Sequence, residues 1–221
     1  MGKITVMDIK KNDKVRSYIR QADKHLKEIG FTEHGFRHAG LVADTAGNIL
    51  SELDYSARMV ELAQIAGYLH DIGNVVNREK HAYSSALLAE RVLDNLDMPY
   101  DEISLIIGAI GNHDEGCGKP VNPVAAALII ADKSDVHCTR VRNKDIATFD
   151  IHDRVNYAAK KSVIEIDQEA EIISLELEID TEVSIVMEYF EIFLTRMLMA
   201  RKAAETLDCD FNLIINDVDL F

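Results

Sequence analysis

Apolar residues recur at three- and four-residue spacing as far as Tyr157, and the spacing then drops to two. Val15, Tyr18, Ile19, Ala22, Leu26 and Ile29 trace one face of a helix that Gly30 closes. A capping-box pattern, Thr5-Val6-Met7-Asp8, opens a shorter helix before it. The same period predicts helices over residues 34–53, 57–69, 81–96 and 101–110. Gly116, Gly118 and Pro120 mark a loop. Pro123 then leads an almost wholly apolar stretch, 124–130, that reads as a buried helix. The 3 prolines, Pro99, Pro120 and Pro123, all fall between Asp97 and Val124, so helices run freely on either side.

Residues 162–167 and 173–180 alternate apolar with polar, the period of strands, and 167–170 suits a hairpin turn between them. A long helix over about 182–207 carries Val183, Val186, Met187, Phe190, Phe193, Leu194, Met197 and Leu198 on one face. Residues 211–215 read as a last strand. Two strands alone are marginal, so this one is expected to complete a three-stranded sheet. The expected fold class is mainly α: a helical core, residues 1–159, with a small α+β C-terminal extension, residues 160–221. That extension holds no ligand-type motif, and its apolar helix implies a structural or dimerising role in a homodimer.

Composition narrows the function. At 221 residues, with 48% hydrophobic and 28% charged, the chain can bury a sizeable core. Its formal net charge of −14 argues against binding to a nucleic-acid backbone or to an anionic membrane surface. A small anion in a locally basic pocket remains compatible with it. Cys117, Cys138 and Cys209 are scattered, without CxxC spacing, as in free thiols of a reducing compartment. The opening Met1-Gly2-Lys3-Ile4-Thr5 leads into a polar stretch without the apolar run of a signal peptide, so a cytoplasmic location is expected.

The chemistry concentrates at His70-Asp71, which ends the apolar run Ile65-Ala66-Gly67-Tyr68-Leu69. Burying an imidazole and a carboxylate without partners costs several kcal/mol, which a metal ion would offset. Adjacent helical residues point about 100° apart, so a cation on the ridge between them reaches both. Gly73 is placed to end that helix. His38 lies on the preceding helix, and Asp132 interrupts the apolar Leu128-Ile129-Ile130-Ala131. Singly, each has a plain alternative: His38 as an ordinary core or surface histidine, Asp132 as an ion-pair partner of Arg37 or Lys133. Together they form a mixed nitrogen and oxygen set that suits Fe, Mn, Zn or Ni better than Ca or Mg.

The order His…His-Asp…Asp, with Tyr68-Leu69-His70-Asp71-Ile72-Gly73-Asn74 at its centre, resembles the HD superfamily of metal-dependent phosphohydrolases over residues 34–142. The resemblance implies that His38, His70, Asp71 and Asp132 bind one metal in a helical core. Further features resemble the HD-GYP branch: His81 after the central motif, His113-Asp114-Glu115, the loop Gly116-Cys117-Gly118-Lys119-Pro120, and Asp132-Lys133-Ser134-Asp135. They imply a second metal on His81, His113 and Asp114, bridged by Asp71. Asp114 stands where the branch has a histidine, Lys119 where it has a tyrosine and Asn74 where it has a lysine, departures that count against its cyclic-dinucleotide specificity more than against metal binding.

The implied activity is hydrolysis of a phosphoester, as a phosphomonoesterase or phosphodiesterase, of a nucleotide or another small phosphorylated compound. Metal-activated water is the attacking group and Asp71 the catalytic residue. Arg37, Lys133, Arg140 and Arg142 adjoin ligand positions and are candidate phosphate contacts. With Asp145, Asp150 and Asp153 nearby, they equally suit a solvated charged face. His152 lies outside the family pattern and reads as a surface salt-bridging residue. The rival is a signalling or interaction protein that binds metal or a nucleotide without turnover.

Overall fold

The computed structural model describes residues 3–220. Helices α1 (Val6–Lys11), α2 (Asp13–Glu28), α3 (Phe36–Glu52), α4 (Ala57–Leu69), α5 (His81–Asp94), α6 (Tyr100–Gly111), α7 (Pro123–Ser134) and α8 (Ile151–Ala158) come first. Strands β1 (Ala159–Asp167) and β2 (Ile172–Ile179), helix α9 (Val186–Thr206), and strands β3 (Asp210–Ile215) and β4 (Val218–Asp219) follow. The fold is mainly helical with a small C-terminal sheet, as the sequence pattern indicates.

Local chemistry starts these helices. Thr5 and Asp8 form the expected capping box on α1. The Asn12 side chain accepts from the Lys14 and Val15 amides to open α2, and Gly30, with φ of 84°, ends the turn after it. Asn122 caps α7 through the Ala125 amide with Pro123 in the first turn. On α2 the buried positions are Val15, Ile19, Ala22 and Leu26, whereas Ile29 has passed the helix end and is exposed.

Helix α7 is the centre of the molecule. From Val124 to Ala131 every side chain is buried, and α3, α4, α6 and α9 pack around it. Burying the helix on all sides accounts for an apolar run with no polar face.

In the sheet β1 pairs antiparallel with β2, β2 parallel with β3, and β3 antiparallel with β4. The parallel step needs a long crossover, which α9 supplies. Strand β4 is the addition to the expected three strands. Ile173, Leu175, Leu177 and Ile179 point inward from β2, as its alternation implies. Helix α9 buries Tyr189, Phe193 and Met197, while Met187 and Leu194 stay exposed, so its apolar positions do not form one buried face. One continuous cluster of buried side chains joins the helical region to the sheet. Among the described residues no helix is long and apolar enough to cross a membrane.

Candidate metal centre

The ends of five helices meet at one point. His38 lies in the first turn of α3, and His70 is the residue that closes α4. His81 begins α5, His113 follows the end of α6, and Asp132 lies in the last turn of α7. Because α4, α6 and α7 all finish here, their C-terminal dipoles favour a cation.

Helix α4 stops one residue before His70, and Asp71 (φ −106°, ψ 3°) leads into a short 3-10 turn, Ile72–Val75. Gly73 is therefore not the helix terminator that its position suggested. It permits a close approach instead: a Cβ there would lie 2.3 Å from both the His81 carbonyl oxygen and the Ser85 nitrogen. The Gly73 amide donates to Ser85 Oγ at 2.7 Å, fixing α5 against the motif.

Each of four imidazoles turns Nδ1 to an oxygen: His38 to Asp135 (2.6 Å), His70 to the Gly67 carbonyl (2.8 Å), His81 to the Arg78 carbonyl (3.1 Å) and His113 to the Ile110 carbonyl (2.7 Å). The three carbonyls and the carboxylate are acceptors, so Nδ1 carries the proton in the neutral rings and Nε2 presents a lone pair. These Nε2 atoms face each other in pairs, His38 with His70 at 3.2 Å and His81 with His113 at 3.1 Å. Asp71 lies between the pairs. Its Oδ2 is 3.7 and 3.5 Å from Nε2 of His38 and His70, and its Oδ1 is 3.2 and 3.9 Å from Nε2 of His81 and His113. Asp132 Oδ1 adds a second oxygen to the first pair, 3.4 Å from His38 and 3.6 Å from His70. Lone pairs converging at these distances repel unless a proton or cation lies among them. The donor set fits divalent transition metal ions.

Partners outside the cluster orient it. Asn74 donates to Asp71 Oδ1 at 2.8 Å. Asp135 holds His38 while accepting a bidentate pair from Arg37 (3.2 and 2.8 Å). Burial and Arg140 oppose a charge on His38, but its hydrogen bonds to Asp132 and Asp135 outweigh them and raise its pKa to about 9. Burial would push the Asp71 carboxyl up, yet the surrounding histidines, His70 foremost, hold it well below the ordinary range. Burial and then His70 and His81 push His113 well below its usual value.

The other sequence candidates divide. Lys133 is buried and bonds Asp132 (2.7 Å) and Glu115 (2.6 Å), so Asp132 pairs with Lys133 and not with Arg37. Arg140 is buried, donates to the Glu33 carbonyl and to His34 Nε2, and lines the cleft over the ligands. Arg37 does not face that cleft, because Asp135 and Glu33 engage its guanidinium. Arg142 is drawn off by Asp23 and the Phe31 carbonyl. Asp114 borders the cleft, but its carboxylate accepts the Gly116 amide in its own turn and joins none of the metal-ligand groupings among the described residues. His152 is exposed and borders a cavity beside the cleft.

Sequence reasoning missed Arg78 and Arg196. Arg78 Nη1 reaches His81 Nε2 at 3.3 Å, and Arg196, from α9, donates to Glu115 at 3.1 Å. Burial would raise the Glu115 carboxyl, but Lys133 and Arg196 lower it to about 2. Arg196 corrects the expectation that the C-terminal unit is purely structural, since this side chain lines the cleft. Its only sequence signal was a cation amid the apolar positions of a long helix.

Comparison with known proteins finds one family match. The family model described as HD domain matches residues 35–137. That stretch is similar to the HD domain. The stretch holds His38, His70, Asp71, His81, His113 and Asp132, whereas Arg140 and Arg196 lie beyond it. An uncharacterized protein of Methanocaldococcus jannaschii is 28% identical over 156 residues, covering 60% of this chain and 59% of that one. Ribonuclease Y of Mycoplasma mycoides is 31% identical over 131 residues, covering 59% of this chain and 29% of the ribonuclease. The chain thus spans less than two thirds of either relative. A crystal structure described as a predicted HD superfamily hydrolase, from an uncultured Thermotogales bacterium, covers 57% of this chain and 68% of its own at 23% identity and a TM-score of 0.46. The family match is to the HD domain as such and does not single out the HD-GYP branch.

Proposed function

We propose that this chain is a metal-dependent phosphohydrolase that cleaves a phosphoester of a nucleotide or another small phosphorylated compound. The observation that carries the reading is the pair of facing Nε2 couples on either side of the Asp71 carboxylate. His38, His70, Asp71 and Asp132 would hold one ion of the Fe, Mn, Zn or Ni class, and Asp71, His81 and His113 a second. Divalent ions there supply Lewis acidity toward a phosphoryl oxygen and an acidified water at neutral pH.

The chain's own residues do the rest. Asp71, bridging the two couples, sets their relative position. Arg78, Lys133, Arg140 and Arg196 ring the cleft with positive charge that draws a phosphate inward. Glu115 keeps Lys133 and Arg196 apart, each on its own carboxylate oxygen, so both cations remain spread across the opening. Ribonuclease Y by its name acts on RNA. The net charge of −14 here supports a small substrate over a long polyanion.

The space directly above the ligands is tight, about 10 Å³, on the order of one water. That observation favours a second reading, in which the site binds metal without turnover. A screen of phosphomonoesters, phosphodiesters and a short RNA with Mn-, Fe-, Zn- and Ni-loaded protein separates the two. Metal-dependent release of phosphate from a monoester, or of the alcohol and phosphomonoester fragments from a diester or the RNA, supports the hydrolase, and bound metal without cleavage of any of them supports the binding protein. A second copy of this chain as partner belongs to the same proposal, and light scattering of the purified chain tests it.

A further inference from the structure

A second cavity, of about 250 Å³, adjoins the cleft and shares His34, Arg78, Arg140 and Arg196 with it. Arg78 aside, its walls lie outside the matched residues 35–137: the segment after α2 as far as His34, Arg140, α8 with Asp150 before it, and α9. The end shared with the cleft is cationic. Phe31 and Phe193 back it, with the guanidinium groups of Arg78 and Arg196 over their rings at 5.3 and 4.7 Å. Asp150, Asp153 and Asn156 add acceptors to its lining. Asn156 is 3% exposed, its Nδ2 donates to the His152 carbonyl, and its Oδ1 has no hydrogen-bond partner. A buried acceptor left unpaired is costly, and a small turn of the Asn156 side chain toward the cavity that the residue lines would let a donor there relieve that cost.

We infer that this cavity is the specificity pocket for the substrate's uncharged end, with Asn156 as the residue that selects a group bearing N–H or O–H donors. The inference rests on the hydrolase reading only for the phosphate end. Such donors belong either to an amino-bearing base or to the hydroxyls of a sugar. Both put a neutral donor face against Asp150, Asp153 and Asn156 while the phosphate lies among the arginines. A plain aromatic phosphate fills the same volume but leaves Asn156 unpaired.

The test is calorimetric binding to the metal-loaded full chain of non-hydrolysable phosphonate analogues of phenyl phosphate, adenosine monophosphate and ribose 5-phosphate. Turnover of phenyl phosphate itself is measured separately, so a failure of the hydrolase reading is distinguishable from a failure of the pocket. At least one donor-bearing analogue should bind about tenfold more tightly than the phenyl analogue. The arm with the larger gain identifies the donor source. Asn156→Leu should reduce that preference to within about threefold, and Asn156→Asp, which keeps an acceptor, should retain most of it. Asn156→Ser, with a shortened side chain, gives the same reading where the leucine variant does not fold. No preference in the wild type, or a full preference in both Asn156→Leu and Asn156→Ser, would overturn the assignment.

Discussion

Nε2 of His81 and Nε2 of His113 face each other at 3.1 Å, although each ring has already committed Nδ1 to a backbone carbonyl. Two rings held in this way repel at this distance unless a proton or a cation lies between them, and Asp71 Oδ1, 3.2 Å from the first, adds a ligand for a cation. His81→Ala should therefore lower metal content by about one equivalent while leaving the His38 and His70 couple loaded. Atomic emission analysis checks this. Unchanged stoichiometry would return His81 to the role of a residue that only packs the start of α5.

Asp135 acts on the centre through His38. Removing such an orienting carboxylate typically weakens metal affinity by about 10–100-fold. Asp135→Asn should do so with the fold intact by circular dichroism, and Arg37→Ala should show a weaker version, because Arg37 reaches the centre only through Asp135. Competition titration against a fluorescent chelator reads both. An Arg37→Ala variant with wild-type metal affinity and a raised KM alone would restore Arg37 as a substrate contact.

The metal-free protein should have a two-sided pH profile. His38 is raised from 6.5 to about 9, so its contribution is full below pH 6.5 and is lost as pH rises through 9, on the order of 2–3 kcal/mol. His34 and His113 are shifted the other way: burial comes first, with Arg140 acting on His34 and His70 on His113. Below pH 6.5 the unfolded chain takes up protons that these two rings refuse, and stability falls there as well. Urea denaturation of chelator-treated protein from pH 5 to 9.5 should pass through a maximum near neutrality. A steady rise from 6.5 to 9 would contradict the account of His38.

Gly73→Ala tests the packing under the motif. The added Cβ would meet backbone atoms at 2.3 Å, so α5 must move and take His81 with it. Overpacking of this kind costs about 1–3 kcal/mol. The variant should lose that much in denaturant unfolding and bind the His81 metal more weakly. Wild-type stability would mean that α5 is free to slide.

Much of this centre was legible in the sequence because its ligands lie beside apolar runs whose period fixes the helix ends. His70 and Asp71 close one such run, and Asp132 interrupts another. Arg78 and Arg196 were illegible for the opposite reason: a cation on a helix or loop carries no periodic signal, and only tertiary packing brings Arg196 to Glu115. Arg37 and Arg142 misled because adjacency in sequence to a ligand does not fix direction. Nearby carboxylates, Asp135 and Asp23, claim both guanidinium groups. The parallel pairing of β2 with β3 was equally hidden, since alternation gives a strand's face but not its neighbour's direction.

The most direct test is elemental analysis, paired with phosphoester turnover, of the wild type and Asp71→Ala purified without chelator. The wild type should hold about two equivalents of transition metal and cleave the phosphoester in a metal-dependent way. In Asp71→Ala both should fall together, metal to well under one equivalent and turnover to background. Full metal content in Asp71→Ala, or a wild type that releases phosphate with no transition metal bound, would contradict it.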